Sequence, residues 1–230
     1  MSDNRPAILA LDASTEACTV ALELGEGRWS RFAVRPRGHA RDLLAMIEAV
    51  LVEAGLERRH IGLVTYGRGP GAFTGVRISV GVAQGLACGL DVPVAGVSTL
   101  AAVAQGSWRR QGAERVLAAL DARMNEVYWA ACAHDADSGL MLPLGEEAVG
   151  PASAVALPER WQDYLGAGTG WQSHGEVLTA TLGVTPREVE ADALPDALDL
   201  LPFGRHARKI GQVVAADEAA PLYLRNKVTG

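Results

Sequence analysis

Positive charge is what this sequence has least of. Acidic residues outnumber basic ones by 27 to 21, giving a formal net charge of −6 and a pI near 5.4. No basic run is longer than a pair, Arg58-Arg59 or Arg109-Arg110. Phosphate backbones are held by clustered cations, so the chain is not expected to grip nucleic acid by itself. Cysteine is scarce too: Cys18, Cys88 and Cys132 lie far apart with no C-x-x-C spacing. That excludes a disulfide framework or zinc knuckle and predicts reduced, buried thiols. The N-terminal MSDNRPAILALD lacks the longer apolar core of a signal peptide. The apolar stretch from Ile78 to Val103 is interrupted by Gln84, Asp91 and Pro93, so no membrane span is expected there. The expectation is a cytoplasmic protein with no membrane partner. Signatures of hydrolysis are also missing. Neither G-x-S-x-G nor H-E-x-x-H occurs. No catalytic residue and no metal ligand is predicted.

What is present is a chain rich enough in apolar residues to fold. Hydrophobic residues make up 49% and mean hydropathy is +0.10, which points to an ordered globular protein. Its 230 residues suffice for one large domain or two small ones. Alternation and turn residues predict strands at 8–11, 18–24 and 28–34, closing a meander at Gly25-Glu26-Gly27. The loop Arg35-Pro36-Arg37-Gly38-His39 leads to a helix over 40–54. Its apolar positions Leu43, Leu44, Ile47, Val50, Leu51 and Ala54 follow helical spacing, and Gly55 ends it. Ile61 to Tyr66 reads as a buried strand, followed by a helix from Thr74 or Gly75 to about 89. A short strand at 92–97 follows, then a helix from Thr99 to Gln105 or slightly beyond, capped by Ser98.

From Val116 the pattern restarts. Ala119-Leu120-Asp121-Ala122-Arg123 lies on Ala10-Leu11-Asp12-Ala13-Ser14, and Glu126–Ala133 falls on Ala17–Leu24 without a gap. Further on, Tyr164-Leu165-Gly166-Ala167-Gly168-Thr169-Gly170 echoes residues 65–71. Two marks in the same order imply duplication, with a subdomain at 1–106, a linker-like SWRRQGAE, and a second subdomain at 107–230. The C-terminal tail is a candidate to complete the first. Helices are predicted at 173–182, 195–201 and 203–216, and Pro221–Arg225 as extended chain. Arg123 and Glu126 are expected to pair.

The stretch 61–90 carries the most unusual chemistry. A strand, glycines 67, 69, 71 and 75, and a helix N-terminus form a site for an anion or for close backbone approach. A P-loop needs a Gly-Lys pair, and the dinucleotide fingerprint needs G-x-G-x-x-G; the spacing here is G-x-G-x-x-x-G, so both fail. Asp12, Ser14, Gly69, Gly71, Thr74 and Gly75 remain a candidate nucleotide or phosphate loop, with a purely structural turn as the alternative. In the following helix Gly81, Gly85 and Gly89 form one stripe. Each costs about 1 kcal/mol relative to alanine. Something must press on that stripe: a neighbouring element of this chain, or a helix of another subunit. Arg77 in the first turn opposes the helix dipole and predicts an acidic partner.

A duplicated strand-Asp-turn-strand unit with a later glycine loop resembles the actin, Hsp70 and sugar-kinase architecture (an α/β, RNase H-like fold). There two halves clamp ATP and the first Asp holds magnesium. This chain has Ala-Ser-Thr after Asp12 and Ala-Arg-Met after Asp121, where the family has a glycine, which argues against ATP hydrolysis. LDAST, His39 before an amphipathic helix, GRGPGAFTGVR, LDAR with NEVYWA, and PLYLR together resemble the bacterial TsaB (YeaZ) family. The likeness is tightest over 66–90 and weakest over 135–205. It implies a degenerate paralogue of TsaD. Its role would be that of a non-catalytic activating subunit, acting with TsaD and the ATPase TsaE to threonylcarbamoylate adenosine 37 of tRNAs reading ANN codons. Contact with tRNA would be indirect. It implies no cofactor of its own, with room for ATP or ADP and magnesium in the complex. The helices 40–54 and 75–89 would pack on TsaD, or on a second copy when TsaD is absent. The implied interface holds His39, Leu43, Leu44, Ile47, Phe73, Val76, Arg77, Gly81, Gly85 and Gly89. The competing reading is an ATP-dependent phosphotransferase or glycoprotease-like peptidase of the same fold.

Overall fold

The computed structural model describes residues 6–35 and 38–224. The chain divides into two compact units. Among the described residues, one comprises those from 6 to 99 together with Pro195–Pro221; the other comprises Leu100–Leu194 and residues 222–224.

The first unit is built on a five-stranded sheet of β1 (Ala7–Asp12), β2 (Ala17–Leu24), β3 (Gly27–Val34), β4 (Ile61–Gly67) and β5 (Val94–Val97). The order is β3-β2-β1-β4-β5, antiparallel from β3 to β1 and parallel from β1 to β5. β1 is buried at every position, as a central strand covered on both faces must be. Helices α1 (His39–Ala54) and α2 (Phe73–Leu90) cover one face. Leu43, Ile47, Val50 and Leu51 of α1 and Val76, Val80, Ala83 and Ala87 of α2 pack there with Leu9, Leu11, Val20 and Leu22. α1 ends where Gly55 turns left-handed (φ 66°), and Leu56 N–H closes back on the Leu51 carbonyl at 2.9 Å.

The opposite face is covered by the C-terminal helix, which we number α5 (Ala197–Lys209). Asp196 caps it by accepting from Leu198 N–H at 3.0 Å, and Thr19 of β2 accepts from Ala197 N–H at 3.1 Å. Gly204 lets the helix press onto β4, because the Thr65 hydroxyl fills the space of its absent β-carbon.

The second unit repeats the plan. Its strands β6 (Arg115–Arg123), β7 (Glu126–Asp135), β8 (Leu140–Pro143), β10 (Leu165–Ala167) and β11 (Glu188–Glu190) run β8-β7-β6-β10-β11, with β9 (Ala148–Pro151) also on β7. β6 alternates: Val116, Ala118 and Leu120 share a core with Leu100, Val103 and Ala104 of α3 (Thr99–Gln111). Leu117 and Ala119 face a second core holding Trp161, Tyr164, Trp171 and Leu178, the last two on α4 (Thr169–Leu182). An antiparallel meander joined to two parallel strands, in the same order twice, makes this a duplicated actin-like α/β fold.

Several expectations need correction. The predicted linker SWRRQGAE is largely helix, since α3 continues to Gln111 with Ser107 buried. The two C-terminal helices are one, with Pro202 inside it, because packing across β1, β2 and β4 outweighs one lost hydrogen bond. The short strands β8, β9 and β11 were not anticipated. Arg123 pairs with Asp121 (3.5 Å) rather than Glu126, in a turn where Arg123, Met124 and Asn125 all have positive φ. Cys18 and Cys132 are buried, but Cys88 is exposed. Pro36, Arg37 and Arg225 lie outside the described residues. α2, with 18 residues at mean hydropathy 1.2, has the length and composition to cross a membrane; here one side of it is core.

Candidate partner-docking face

The segment from β4 to α2 is fastened to the turn after β1 by backbone contacts that only glycine allows. Side chains at Gly71 and Gly75 would strike the carbonyl oxygens of Ser14 and Ala13, and one at Gly67 would strike the carboxyl of Asp12. Ser14 carbonyl accepts from Ala72 N–H at 2.7 Å, immediately ahead of α2. Gly69 has φ 96° and precedes a cis Pro70. These glycines therefore serve close packing of backbone on backbone, as the structural-turn alternative expects. Asp12 and Ser14 are fully buried, Gly69 is buried, and Thr74 is exposed.

Asp12 is wholly enclosed. Its Oδ1 accepts from Ser14 N–H (2.7 Å) and Ser14 Oγ–H (2.8 Å), while Oδ2 is buried without a hydrogen-bond partner. Burial pushes its carboxyl up to about 6, against the pull of the two Ser14 hydrogen bonds. Among the described residues no group of three His, Cys, Asp or Glu side chains could hold a metal ion.

Beyond this fastening, α2 presents an open ridge. Phe73, Arg77, Gly81, Gly85 and Gly89 recur every fourth residue and all are exposed. The Arg77 guanidinium lies 3.4 Å from the Phe73 ring centroid, a cation–π contact. Among the described residues no atom outside the helix lies within 4 Å of a β-carbon placed at Gly81, Gly85 or Gly89, so none of them presses on the glycine stripe. On α1 the matching exposed apolar residues are Leu44, 51% exposed, and Val52, 79% exposed.

Three expected interface residues do not belong to this face. Leu43, Ile47 and Val76 point into the core and are at most 2% exposed. Consecutive apolar residues such as Leu43 and Leu44 sit about 100° apart on a helix, so only one of them faces the sheet. His39 starts α1 half-buried, with Nε2 enclosed. Val52 and Cys88 were missed. Their signal was positional, since Val52 follows Leu44 by eight residues and Cys88 follows Gly85 by three.

A family model described as "TsaD: tRNA N6-adenosine threonylcarbamoyltransferase" matches residues 33–191. The "tRNA threonylcarbamoyladenosine biosynthesis protein TsaB" of Escherichia coli K12 is 44% identical over 96% of this chain and 95% of its own length. The chain belongs to the TsaB family. The TsaB protein of Haemophilus influenzae is 37% identical over 96% of the chain and 94% of its own length. The solved structure of YeaZ from Pseudomonas aeruginosa is 46% identical, covers 95% of this chain and 100% of its own, and superposes with a TM-score of 0.89. Within a TsaB chain the arrangement has a simple logic. The glycines before α2 fix its root to the sheet, and those along α2 leave its outer side bare.

Proposed function

We propose that this chain serves threonylcarbamoyladenosine biosynthesis on tRNA as a non-catalytic subunit that activates a TsaD-like enzyme. The observation that carries this reading is the uncovered ridge Phe73-Arg77-Gly81-Gly85-Gly89. Helices pack by setting ridges into grooves. A row of glycines is a deep groove, so a partner helix can approach its backbone closely. Three interior glycines cost the isolated helix about 3 kcal/mol in propensity, which is reasonable only if a partner recovers it.

The occupant proposed is the corresponding helix pair of a TsaD-like paralogue. With that enzyme absent, a second copy of this chain takes its place through the same face. A TsaE-like ATPase completes the assembly in the cytoplasm, and any ATP, ADP or magnesium belongs to the complex. The net charge of −6 supports an indirect relation to tRNA. The buried, closed state of Asp12 and the carbonyl-filled glycine loop support the absence of chemistry in the first unit.

Isothermal titration of this chain into a TsaD-like enzyme tests the reading. It expects saturable binding that Gly85→Trp abolishes while the variant's circular dichroism stays that of wild type. Undiminished binding by a folded Gly85→Trp chain counts against the α2 face.

A further inference from the structure

We propose that Asp12 is a positioning residue whose carboxyl, acting through Ser14, latches the glycine loop and the root of α2 onto the sheet, most firmly in its protonated form. The geometry forms a closed circuit. Asp12 Oδ1 takes both Ser14 donors, N–H at 2.7 Å and Oγ at 2.8 Å. Ser14 then holds the loop at two places. Its carbonyl accepts from Ala72 N–H, and its hydroxyl meets the Thr99 hydroxyl at 3.0 Å, while Thr99 N–H donates to the Gly69 carbonyl at 2.9 Å. Ala13 N–H donates to Ser79 Oγ of α2 at 2.7 Å. The other carboxyl oxygen, Oδ2, occupies the hollow left by Gly67 with no hydrogen-bond partner. That oxygen tolerates a proton far better than an uncompensated charge.

Among the described residues no cation lowers the Asp12 carboxyl, whose only downward pull comes from the Ser14 hydrogen bonds, although Arg35 acts on the neighbouring Cys18 thiol. α2 contributes the Ser79 hydroxyl, the start of α3 the Thr99 hydroxyl, and β4 Gly67 and Tyr66. From β2 come Thr19, directly opposite Asp12, and the Cys18 thiol, which burial, Asp42 and Asp12 push up to about 11. On the α5 side are the carboxyls of Asp196 and buried Asp199. Enclosure pushes the carboxyl up to about 6, well above the ordinary carboxylate range. The closed loop therefore binds a proton that the opened loop gives up, and closure weakens as pH rises through that interval. Where α2 is also the docking helix (this step rests on the function proposed above), the latch sets the position of Phe73 and Arg77 for the partner.

The test is amide hydrogen exchange of the isolated full-length chain, with protection factors corrected for intrinsic exchange. The wild type is expected to lose roughly 25-fold of its protection at Ala13, Ser14, Ala72 and Val76 between pH 4.5 and 7.5, while amides of β6 change far less. Asp12→Asn keeps the Oδ1 acceptor and is expected to retain loop protection with no pH dependence. Asp12→Ala is expected to lose at least about tenfold at the same amides. A flat wild-type profile, equal losses in β6 and the loop, or an unaltered profile in Asp12→Asn overturns the latch. Should Asp12→Ala not fold, the wild-type and Asn profiles decide alone. Affinity for a TsaD-like enzyme is then measured on the same variants. A loosened loop with unchanged affinity leaves the latch standing and removes its link to docking.

Discussion

The carboxyl of Asp12 fills the hollow that Gly67 leaves by having no side chain. The two residues end neighbouring parallel strands, β1 and β4, and no side chain can be added at Gly67 without moving the carboxyl. Gly67→Ala must expel the carboxyl from its place and disrupt its bonds to Ser14. A loss of about 2–4 kcal/mol in stability is expected, as for other overpacked core sites. Gly85→Ala meets open space instead and should gain about 1 kcal/mol in helix propensity. Urea unfolding of the two variants checks the pair. Similar effects of both would mean that the packing around Gly67 is looser than described.

Stability should depend on pH through Asp12 with a specific sign. Burial raises its folded value above that of a free aspartate to about 6, so the native state binds the extra proton. Stability is then highest at low pH from this group, falls between about pH 4 and 6, and is flat above, a total of roughly 3 kcal/mol. Glu190 works in the other direction. Burial raises its carboxyl, but hydrogen bonds from Arg110, Ser107 and Gln111 outweigh that and hold it below the usual range. Its contribution is present above the ordinary glutamate range and is lost as pH falls through the lowered value. Chemical denaturation across pH 3.5–8 should therefore lose the descending limb in Asp12→Asn, and keep it in Glu190→Gln.

Much of this was legible because the relevant signals are local. The 3, 4, 7 spacing of α1 and its Gly55 terminator gave the helix. The repeat of LDAS as LDAR gave the duplication that the two sheets display. Which side of a helix meets the sheet is a tertiary fact, and there the reading faltered. In α1 Leu43 and Leu44 are equally apolar, yet one is fully buried and the other 51% exposed. α2 has small or apolar residues nearly all round, so periodicity could not show that Val76 faces inward while Gly81 faces out. The three-residue β11 has too few positions to show any period, and Pro202 inside α5 mimicked a helix boundary. The surroundings of Asp12 could not be read either, because Gly67, whose hollow its carboxyl fills, is 55 residues away, and Thr99, which meets the Ser14 hydroxyl, is 85 residues from Ser14.

The distinction between Leu43 and Leu44 is itself testable. Leu43→Ala leaves a cavity in the core of the first unit and should cost about 2–5 kcal/mol. Leu44→Ala should change stability by no more than about 0.5 kcal/mol, yet weaken binding to a TsaD-like enzyme. Denaturation and titration calorimetry on the same two variants separate a core role from a surface one.

Phe73 and Arg77 form an aromatic–cation pair on the exposed ridge of α2. An exposed pair of this kind adds about 0.5–1 kcal/mol within the chain, so Phe73→Ala should barely change the melting temperature. Anchors of this type often dominate an interface, and the same variant should weaken partner binding at least about tenfold. Unchanged affinity would move the contact away from the root of α2.

The central claim, that this chain works by presenting the bare side of α2, is tested most directly by reconstitution. A TsaD-like enzyme, a TsaE-like ATPase, threonylcarbamoyl-adenylate and tRNA are combined with no added chain, with the wild type, and with a folded Gly85→Trp variant. Formation of threonylcarbamoyladenosine is then measured. The account predicts modification with the wild type only. Equal modification in all three mixtures, or full activity with Gly85→Trp, would contradict it.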